Sequence, residues 1–348
     1  MLKNVFLTRC FLDQSFLLPL PKFQGSSEIL DLGFSEDRFA PDDLGDLNRR
    51  LEALAHDKGL WAEFMRQLKD ISKLSLNILS QYAVTTDRQS LLHLAVLNDQ
   101  MDCIAKFSSD RSLLERRNRF GLTPLEMALY LHRQKSASIL MDSAAHHSFF
   151  SQPSVEFESI RSFPQNIEFL AQPVFESAQV LEEVFSYTAK AKNDDAITND
   201  RIWLGVYFDK EIQLGIHPKV TVRWISPEIG YGVFAAERIL PCSCVGEYTG
   251  ILQERKSKHV CESNYAFRYT AWPMGKRPYV IDSENMGNFT RFVNHSDNPN
   301  TQLVCTYWRG MPRLIFISLK EIAEGEQLTF DYGKTFWKQS THLAKKEL

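Results

Sequence analysis

Apolar residues recur at helical spacing in the first part of the chain. From Asp42 onward they stand three or four residues apart and so share one face of an α-helix. They are Leu44, Leu47, Leu51 and Leu54, followed by Leu60, Phe64, Leu68 and Ile71. The pattern predicts an amphipathic helical hairpin, with Asp42 or Asp43 capping its first helix. A later helix is predicted over residues 178–191, where Val180, Val184 and Tyr187 lie on one side.

Beyond residue 200 the pattern changes to short runs rich in β-branched and aromatic residues, which are typical of strands. These runs are residues 202–208, 220–225, 302–306 and 313–318. Before them, residues 146–173 are rich in Ser, Pro and Gln and predict a connector. We therefore predict an α+β fold, with a mainly helical N-terminal region and a mainly β domain that meet near residues 195–202.

A six-residue segment recurs 33 residues later in the helical region. Its copies are Ser90-Leu91-Leu92-His93-Leu94-Ala95 and Thr123-Pro124-Leu125-Glu126-Met127-Ala128. Their period and residue types resemble ankyrin repeats. The resemblance implies that the Ser or Thr caps a helix and that His93 joins neighbouring loops rather than taking part in catalysis. Two copies are fewer than such a stack needs, so helices at 42–80 and 173–190 are expected to cap it.

These patterns divide the chain into five parts. They are an N-terminal segment with the helical hairpin at 1–80, ankyrin-like repeats at 81–150, a connector with a helix at 151–200, the β-rich domain at 201–338 and a tail at 339–348.

Charge and cysteine usage narrow the choice of partners. The formal net charge of −3 argues against nucleic-acid binding by bulk electrostatics, and a basic peptide is the better matched partner. The six cysteines are scattered, and the one close pair, Cys242 and Cys244, lacks further ligands for a metal site. We predict no metal, a reducing intracellular compartment and no membrane segment.

Two motifs near the C-terminus indicate the function. The first is Arg291-Phe292-Val293-Asn294-His295-Ser296 with Asn298-Pro299-Asn300, and the second is Gly325-Glu326-Gln327-Leu328-Thr329-Phe330-Asp331-Tyr332-Gly333. Composition alone is compatible with turns between surface strands. In this order and spacing, however, the motifs resemble the paired signature of the SET-domain protein lysine methyltransferases, and the resemblance extends back to about Val220.

The resemblance implies that S-adenosyl-L-methionine is the cofactor and assigns residues to it. The Gly230-Tyr231-Gly232 turn matches the family's Gly-x-Gly, where the lack of side chains lets the backbone approach a ligand closely. His295 is implied to be a binding residue rather than a general base. The assigned cofactor-binding residues are Gly230, Tyr231, Gly232, Tyr265, Arg291, Asn294, His295 and Trp337, with Trp337 and its neighbour Phe336 available to cover the adenine.

The resemblance also implies a channel for the substrate lysine. Tyr332 and Tyr248 are the catalytic candidates, because tyrosines can orient a neutral amine without adding a formal charge. Phe267 and Phe330 line the channel. The family often has Tyr at the position of Phe330, and Phe there leaves room for additional methyl groups. The implied product is therefore di- or trimethyl-lysine.

The sequence departs from the family pattern at its cysteines, and its acidic residues indicate a basic substrate. Asp297 replaces the usual Cys, and no Cys stands between Gly333 and Leu348, so the resemblance is not expected to extend to the family's zinc-binding segment. An acidic rim is expected to attract a histone tail; its residues are Glu247, Asp282, Glu284, Glu324, Glu326 and Asp331.

Ankyrin-like repeats next to a SET domain are found in nuclear histone methyltransferases and in bacterial effectors secreted into host cells. The repeats would dock a protein partner or shield the site. Two alternatives remain open, an inactive scaffold that binds a protein partner and a methyltransferase for a non-histone protein.

Overall fold

The computed structural model describes residues 41–57, 59–67, 84–145, 167–254, 263–269 and 279–333. Helices dominate the first half of this described chain and strands the second half, which gives the predicted α+β fold. Several predicted features lie outside the described residues, namely the segment before residue 41, the helical positions Leu68 and Ile71, most of the connector, Phe336 and Trp337, and the C-terminal tail. The predicted five-part division of the chain stays a prediction.

The helices are, in chain order, α1 (Pro41–His56), α2 (Leu60–Gln67), α3 (Leu91–Leu97), α4 (Met101–Phe107), α5 (Arg111–Leu114), α6 (Pro124–Tyr130), α7 (Gln134–Ala145), α8 (Ala178–Asn193), α9 (Asn199–Tyr207) and α10 (Asp209–Leu214). None of these helices combines the length and the apolar character that a membrane crossing requires.

The strands are β1 (Glu168–Phe169), β2 (Val174–Phe175), β3 (Val220–Ser226), β4 (Gly230–Ala235), β5 (Cys244–Glu247), β6 (Ile251–Glu254), β7 (Ala266–Arg268), β8 (Tyr279–Asp282), β9 (Met286–Gly287), β10 (Asn294–His295), β11 (Thr301–Trp308), β12 (Met311–Ser318) and β13 (Thr329–Phe330). A 3₁₀ helix at Phe289–Phe292 leads into β10.

The two predicted helices are confirmed as α1 and α2. Leu47, Leu51 and Leu54 of α1 are buried, and so is Phe64 of α2, as expected for an apolar stripe at helical spacing. Leu60, which was predicted to lie on the same stripe, is 40% exposed, and Trp61 is buried instead. The predicted cap is wrong, because α1 already begins at Pro41 and so places Asp42 and Asp43 within its first turn.

The two recurring segments form equivalent helix pairs, α3 with α4 and α6 with α7. At the start of α6, the Thr123 hydroxyl accepts from the Glu126 amide at 3.2 Å, and the Glu126 carboxylate accepts from the Thr123 amide at 2.8 Å. This is a capping box, which satisfies two backbone donors that the helix cannot pair internally.

His93 connects the two helix pairs. Its Nδ1 accepts from the Ser90 amide at 3.2 Å, so Nε2 carries the proton and donates it to the Leu122 carbonyl at 2.9 Å. Leu122 precedes α6, and His93 is fully buried. Its predicted structural role as a link between neighbouring segments is confirmed.

The strands form several small sheets. The largest has the order β2-β6-β8-β7, and a second has the order β11-β12-β5. β3 and β4 form a hairpin, and two parallel pairs, β1 with β9 and β10 with β13, join segments that are distant in sequence. The strands predicted over residues 220–225, 302–306 and 313–318 are confirmed within β3, β11 and β12.

The strand predicted over residues 202–208 is wrong, because this stretch forms helix α9. Asp200 lies in the first turn of α9, where a negative charge favours a helix. The helix lies directly on β11, since a Cβ at Gly205 would come within 1.9 Å of the Tyr307 carbonyl oxygen. This tertiary contact outweighs the β propensity of Ile202, Val206 and Tyr207.

Candidate active site

Five aromatic side chains meet where β5, β7, β12 and β13 converge. Ring centroids lie 4.6 Å apart for Tyr248 and Phe267, 5.7 Å for Phe267 and Phe330, 5.0 Å for Phe316 and Phe330, and 4.8 Å for Phe330 and Tyr332. Such separations are those of directly packed rings. All four predicted channel and catalytic residues therefore belong to one aromatic cluster, together with Phe316.

Hydrogen bonds hold both the backbone amide and the side-chain hydroxyl of Tyr248. It follows β5 directly, and its amide donates to the Leu314 carbonyl of β12 at 2.7 Å. Its hydroxyl donates to the Tyr265 carbonyl at 2.5 Å. Burial raises the pKa of the Tyr248 phenol well above its ordinary value, so the side chain stays neutral at any physiological pH.

Tyr332 is held from the other side of the cluster. Its hydroxyl donates to the Val293 carbonyl at 3.1 Å, and its amide donates to His295 Nδ1 at 3.2 Å. Burial also raises the pKa of the Tyr332 phenol above its ordinary value. Both catalytic candidates are thus neutral phenols whose protons point to backbone carbonyls.

The two sequence motifs are joined by the parallel pair of β10 and β13, which sets Asn294 beside Thr329 and His295 beside Phe330. Asn300 reinforces this junction. Its amide nitrogen donates to the Gln327 carbonyl at 2.8 Å, and its side-chain oxygen accepts from the Thr329 amide at 2.8 Å. Asn300 is buried, so these bonds exchange little with water.

His295 has partners on both ring nitrogens. Since Nδ1 accepts from the Tyr332 amide, Nε2 carries the proton in the neutral ring, and it lies 3.3 Å from the carboxylate of Asp297. Asp297 is the residue that replaces the family's usual Cys. The bond from the Tyr332 amide makes His295 part of the support for Tyr332, and its expected role as a binding residue rather than a general base stays a prediction.

The predicted turn at Gly230–Gly232 is wrong, because these residues begin strand β4 and the turn lies just before them, at residues 227–229. This start of β4 lies against Asn294. The Asn294 amide donates to the Tyr231 carbonyl at 3.1 Å, and a Cβ at Gly232 would come within 3.1 Å of Asn294 Nδ2 and 2.6 Å of Ile225 Cδ1. Gly230 has a φ of +79° and open space where a Cβ would stand. A bare backbone beside an Asn amide fits the amino-acid end of S-adenosylmethionine, which needs close hydrogen-bonding groups.

Arg291 braces Tyr265. Its guanidinium donates to the carbonyls of Ser283 at 2.7 Å and Glu284 at 3.1 Å, and it stacks 3.8 Å from the centroid of the Tyr265 ring. Burial lowers the pKa of Arg291. The cofactor roles of Arg291 and Tyr265 stay predictions, and Trp337 lies beyond the described residues.

The sequence did not identify Phe316 as a site residue, and it wrongly predicted an exposed position for Glu247. Phe316 lies within the predicted 313–318 strand, but every residue of β12 is buried, so no alternation marks the side that faces the site. Glu247 was expected on the acidic rim. It is buried and holds both oxygens against Arg313, at 2.6 Å for Oε2. Glu284, Glu324 and Asp331 are exposed, as a rim requires.

In the part of the chain that the structure describes, His, Cys, Asp and Glu do not form a group of three that could hold a metal ion.

Comparison with known proteins agrees with this geometry. Residues 230–333 match the SET domain family model. Human histone-lysine N-methyltransferase EHMT1 is 31% identical over 133 residues, which are 37% of this chain and 10% of that protein. The putative histone-lysine N-methyltransferase ASHH4 of Arabidopsis thaliana is 36% identical over 111 residues, 30% of each protein.

A crystal structure of KRYPTONITE in complex with mCHH DNA, H3(1-15) peptide and SAH is 29% identical and aligns with a TM-score of 0.29, covering 34% of this chain and 24% of that one. The chain thus spans a third or less of the length of these three relatives. The match to the family model and the joining of both motifs at one aromatic cluster show that residues 230–333 of this chain form a SET domain.

Proposed function

We propose that this chain is an S-adenosyl-L-methionine-dependent protein lysine N-methyltransferase. The observation that carries the proposal is the pair of neutral tyrosines, Tyr248 and Tyr332, in one aromatic cluster. Asn294, in the adjoining strand β10, bonds the start of β4 at Tyr231. SET methyltransferases use S-adenosylmethionine, and the relatives above are named histone-lysine N-methyltransferases.

The two tyrosines suit a lysine amine. Because each hydroxyl donates its own proton to a backbone carbonyl, its oxygen lone pairs remain available to accept an N–H from the amine. The raised pKa of each phenol prevents a phenolate from forming, so the tyrosines do not stabilise the ammonium form of the substrate. An apolar wall of Phe267, Phe316 and Phe330 further favours the neutral, nucleophilic amine.

When bound, S-adenosylmethionine supplies an electrophilic methyl group on a sulfonium sulfur. Gly230, Tyr231, Gly232 and Asn294 are proposed to hold its amino-acid end, with Tyr265, Arg291 and His295 completing the site. The protein's contribution to the displacement is to align the amine and to exclude water, because an in-line reaction depends mainly on approach geometry.

A histone tail is the proposed substrate, and di- or trimethyl-lysine the proposed product. The exposed carboxylates of Glu284, Glu324 and Asp331 favour a basic peptide over an acidic one. Such a substrate would place the protein in a nucleus, either that of its own cell or that of a host cell reached by a bacterial effector.

The helical region is proposed to contain ankyrin-like repeats that bind a protein partner. Two features support this, the 33-residue offset between equivalent helix pairs and the His93 bridge between them. Repeat stacks offer extended binding surfaces and have no catalytic chemistry of their own.

The proposal is tested by incubating the purified chain with isotopically labelled S-adenosylmethionine and purified histones, with methylated lysines identified by mass spectrometry. Tyr332→Phe removes one oxygen from the site and is expected to lower kcat by about 100-fold. Binding of S-adenosylhomocysteine, measured by calorimetry, should be unchanged. Tyr207→Phe is the matched control, because Tyr207 is exposed on α9 and its loss should leave kcat as in the wild type.

Three outcomes separate the alternatives. Site-specific label on a histone, lost in Tyr332→Phe alone, supports the proposal. Label on other proteins of a cell extract but not on histones would retain the enzyme and reject the histone substrate. Cofactor binding without any methyl transfer would reject the enzyme in favour of an inactive scaffold.

A further inference from the structure

A buried polar cluster connects the helical region to the framework of the candidate active site. Tyr130, the last residue of α6, accepts a hydrogen bond on its hydroxyl from Arg313 Nη1 at 3.2 Å. Arg313, on β12, binds both carboxylate oxygens of Glu247, the last residue of β5. Tyr130, Arg313 and Glu247 are 5%, 1% and 9% exposed, respectively.

Burying these three polar side chains costs free energy unless each of them has a hydrogen-bond or ion-pair partner. Moving an arginine and a carboxylate out of water costs several kcal/mol for each ion, and only well-aligned ion pairs and hydrogen bonds offset this cost. The bidentate pairing with Glu247 offsets much of it. The negative charge of Glu247 also holds the pKa of Arg313 above its ordinary value despite burial. Nη1 projects away from the carboxylate, and the Tyr130 hydroxyl is its partner.

Glu247 transmits this arrangement to the site because it directly precedes Tyr248. Its backbone carbonyl accepts from Asn288 Nδ2 at 2.8 Å and from the Thr290 hydroxyl at 3.2 Å. The Tyr248 amide donates to Leu314, which follows Arg313. Glu247 is therefore held by its side chain to Arg313 and by its backbone to Asn288 and Thr290, directly before Tyr248 in the chain.

We propose that Tyr130 is a positioning residue for methyl transfer. It locks the Arg313–Glu247 pair and thereby sets the position of Tyr248, so the helical region supplies part of the active-site framework in addition to any partner surface. This inference rests on the proposed methyltransferase function. It extends that function to a residue 183 positions away from Arg313 in the sequence.

The ring of Tyr130 has a separate packing role, which the test must leave intact. Its centroid lies 5.8 Å from Phe175 and 6.3 Å from Phe185. Tyr130→Phe keeps these contacts and removes only the hydroxyl. The Arg313 Nη1 group then lacks its partner, and the pair with Glu247 is free to shift.

The expected result for Tyr130→Phe is a kcat for histone methylation lowered by about fivefold, because small displacements of a positioning group are costly in an aligned displacement. KM for the histone and Kd for S-adenosylhomocysteine should match the wild type, since Tyr130 is outside the aromatic cluster and outside the set of proposed cofactor-binding residues. A purely structural role would not produce this split between kcat and KM.

Tyr279→Phe is the matched control. Tyr279 is also fully buried, and its hydroxyl also bonds a residue of the helical region, Glu183 of α8. That bond does not involve Arg313 or Glu247. Thermal melting of both variants shows that each is folded, and Tyr279→Phe should retain kcat within about 1.5-fold of the wild type.

Each other outcome overturns the inference. A kcat for Tyr130→Phe equal to that of the wild type, or equal losses in both variants, would show that the hydroxyl does not position Tyr248. An inactive wild-type chain would reject the proposed function itself and this role with it.

Discussion

Phe330 is packed by aromatic side chains on three sides. Phe267, Phe316 and Tyr332 surround it at centroid distances of 5.7, 5.0 and 4.8 Å, and it is 4% exposed. A hydroxyl at this position would enter an apolar wall and would need a partner, either a water molecule or a neighbouring oxygen. Either partner would occupy space that a methylated amine requires.

Phe330→Tyr is therefore expected to restrict the product to monomethyl-lysine, while the wild type forms di- or trimethyl-lysine. Mass spectrometry of a histone methylated to completion gives the distribution. Phe120→Tyr is the control, because Phe120 lies in the helical region and is only partly buried. An unchanged distribution in Phe330→Tyr would show that channel space at residue 330 does not limit the reaction.

At the scale of elements, the chain's turn-rich motifs were more predictable than its unbroken strands. The ends of the two SET motifs are set by local residues such as Asn298, Pro299 and Gly325. The aromatic cluster also needs Phe316, and which side of β12 meets Tyr248 depends on the register between β12 and β5. Register is a long-range property that a uniformly apolar strand does not encode locally.

Helix α9 is a second case in which a long-range contact, rather than the local sequence, decides the structure. Residues 202–208 have strand-like composition, but their conformation is decided by close contact with β11. The parallel pairing of β10 with β13 involves only two residues on each strand, too few for any periodic signal. The resemblance to the SET family, rather than local propensity, assigned residues of both motifs to the same reaction.

His93 gives the element-scale prediction. Burial lowers its pKa from 6.5 to about 4, so the unfolded chain takes up this proton at a higher pH than the folded chain. The free energy of unfolding contributed by His93 is therefore complete above about pH 6.5 and is lost as the pH falls towards about 4. Between about pH 7.5 and about pH 4.5 the loss is about 2.5 kcal/mol.

His93→Gln removes the titrating group, so the variant should lose less stability over the same pH range. Urea unfolding of both proteins, followed by far-UV circular dichroism, measures the difference. Comparing the two proteins cancels the contributions of carboxylates that titrate in the same window. The same pH dependence in both would mean that His93 is accessible to protons in the folded chain.

At the scale of the molecule, the described residues from Leu44 onward belong to one compact unit, and Phe185 lies where its helices and strands share a core. Its ring packs 5.6 Å from Phe120, 6.3 Å from Phe175 and 6.3 Å from Tyr130. A Cβ at Gly310, in the β11–β12 turn, would come within 3.1 Å of the same ring. One side chain thus contacts the segment before α6, the end of α6, β2 and the β11–β12 turn.

Phe185→Ala should lower the free energy of unfolding by about 3 to 5 kcal/mol, as expected when a buried aromatic ring leaves a cavity. Because the ring joins both parts of the core, helix loss seen by circular dichroism and the exposure of strand amides seen by hydrogen exchange with mass spectrometry should shift together. Val206→Ala is the control, since Val206 is 60% exposed and should change stability by less than about 0.5 kcal/mol. If only the circular dichroism transition moved, the helical region would be an independent folding unit, and the route from Tyr130 to Tyr248 would lose its rigid support.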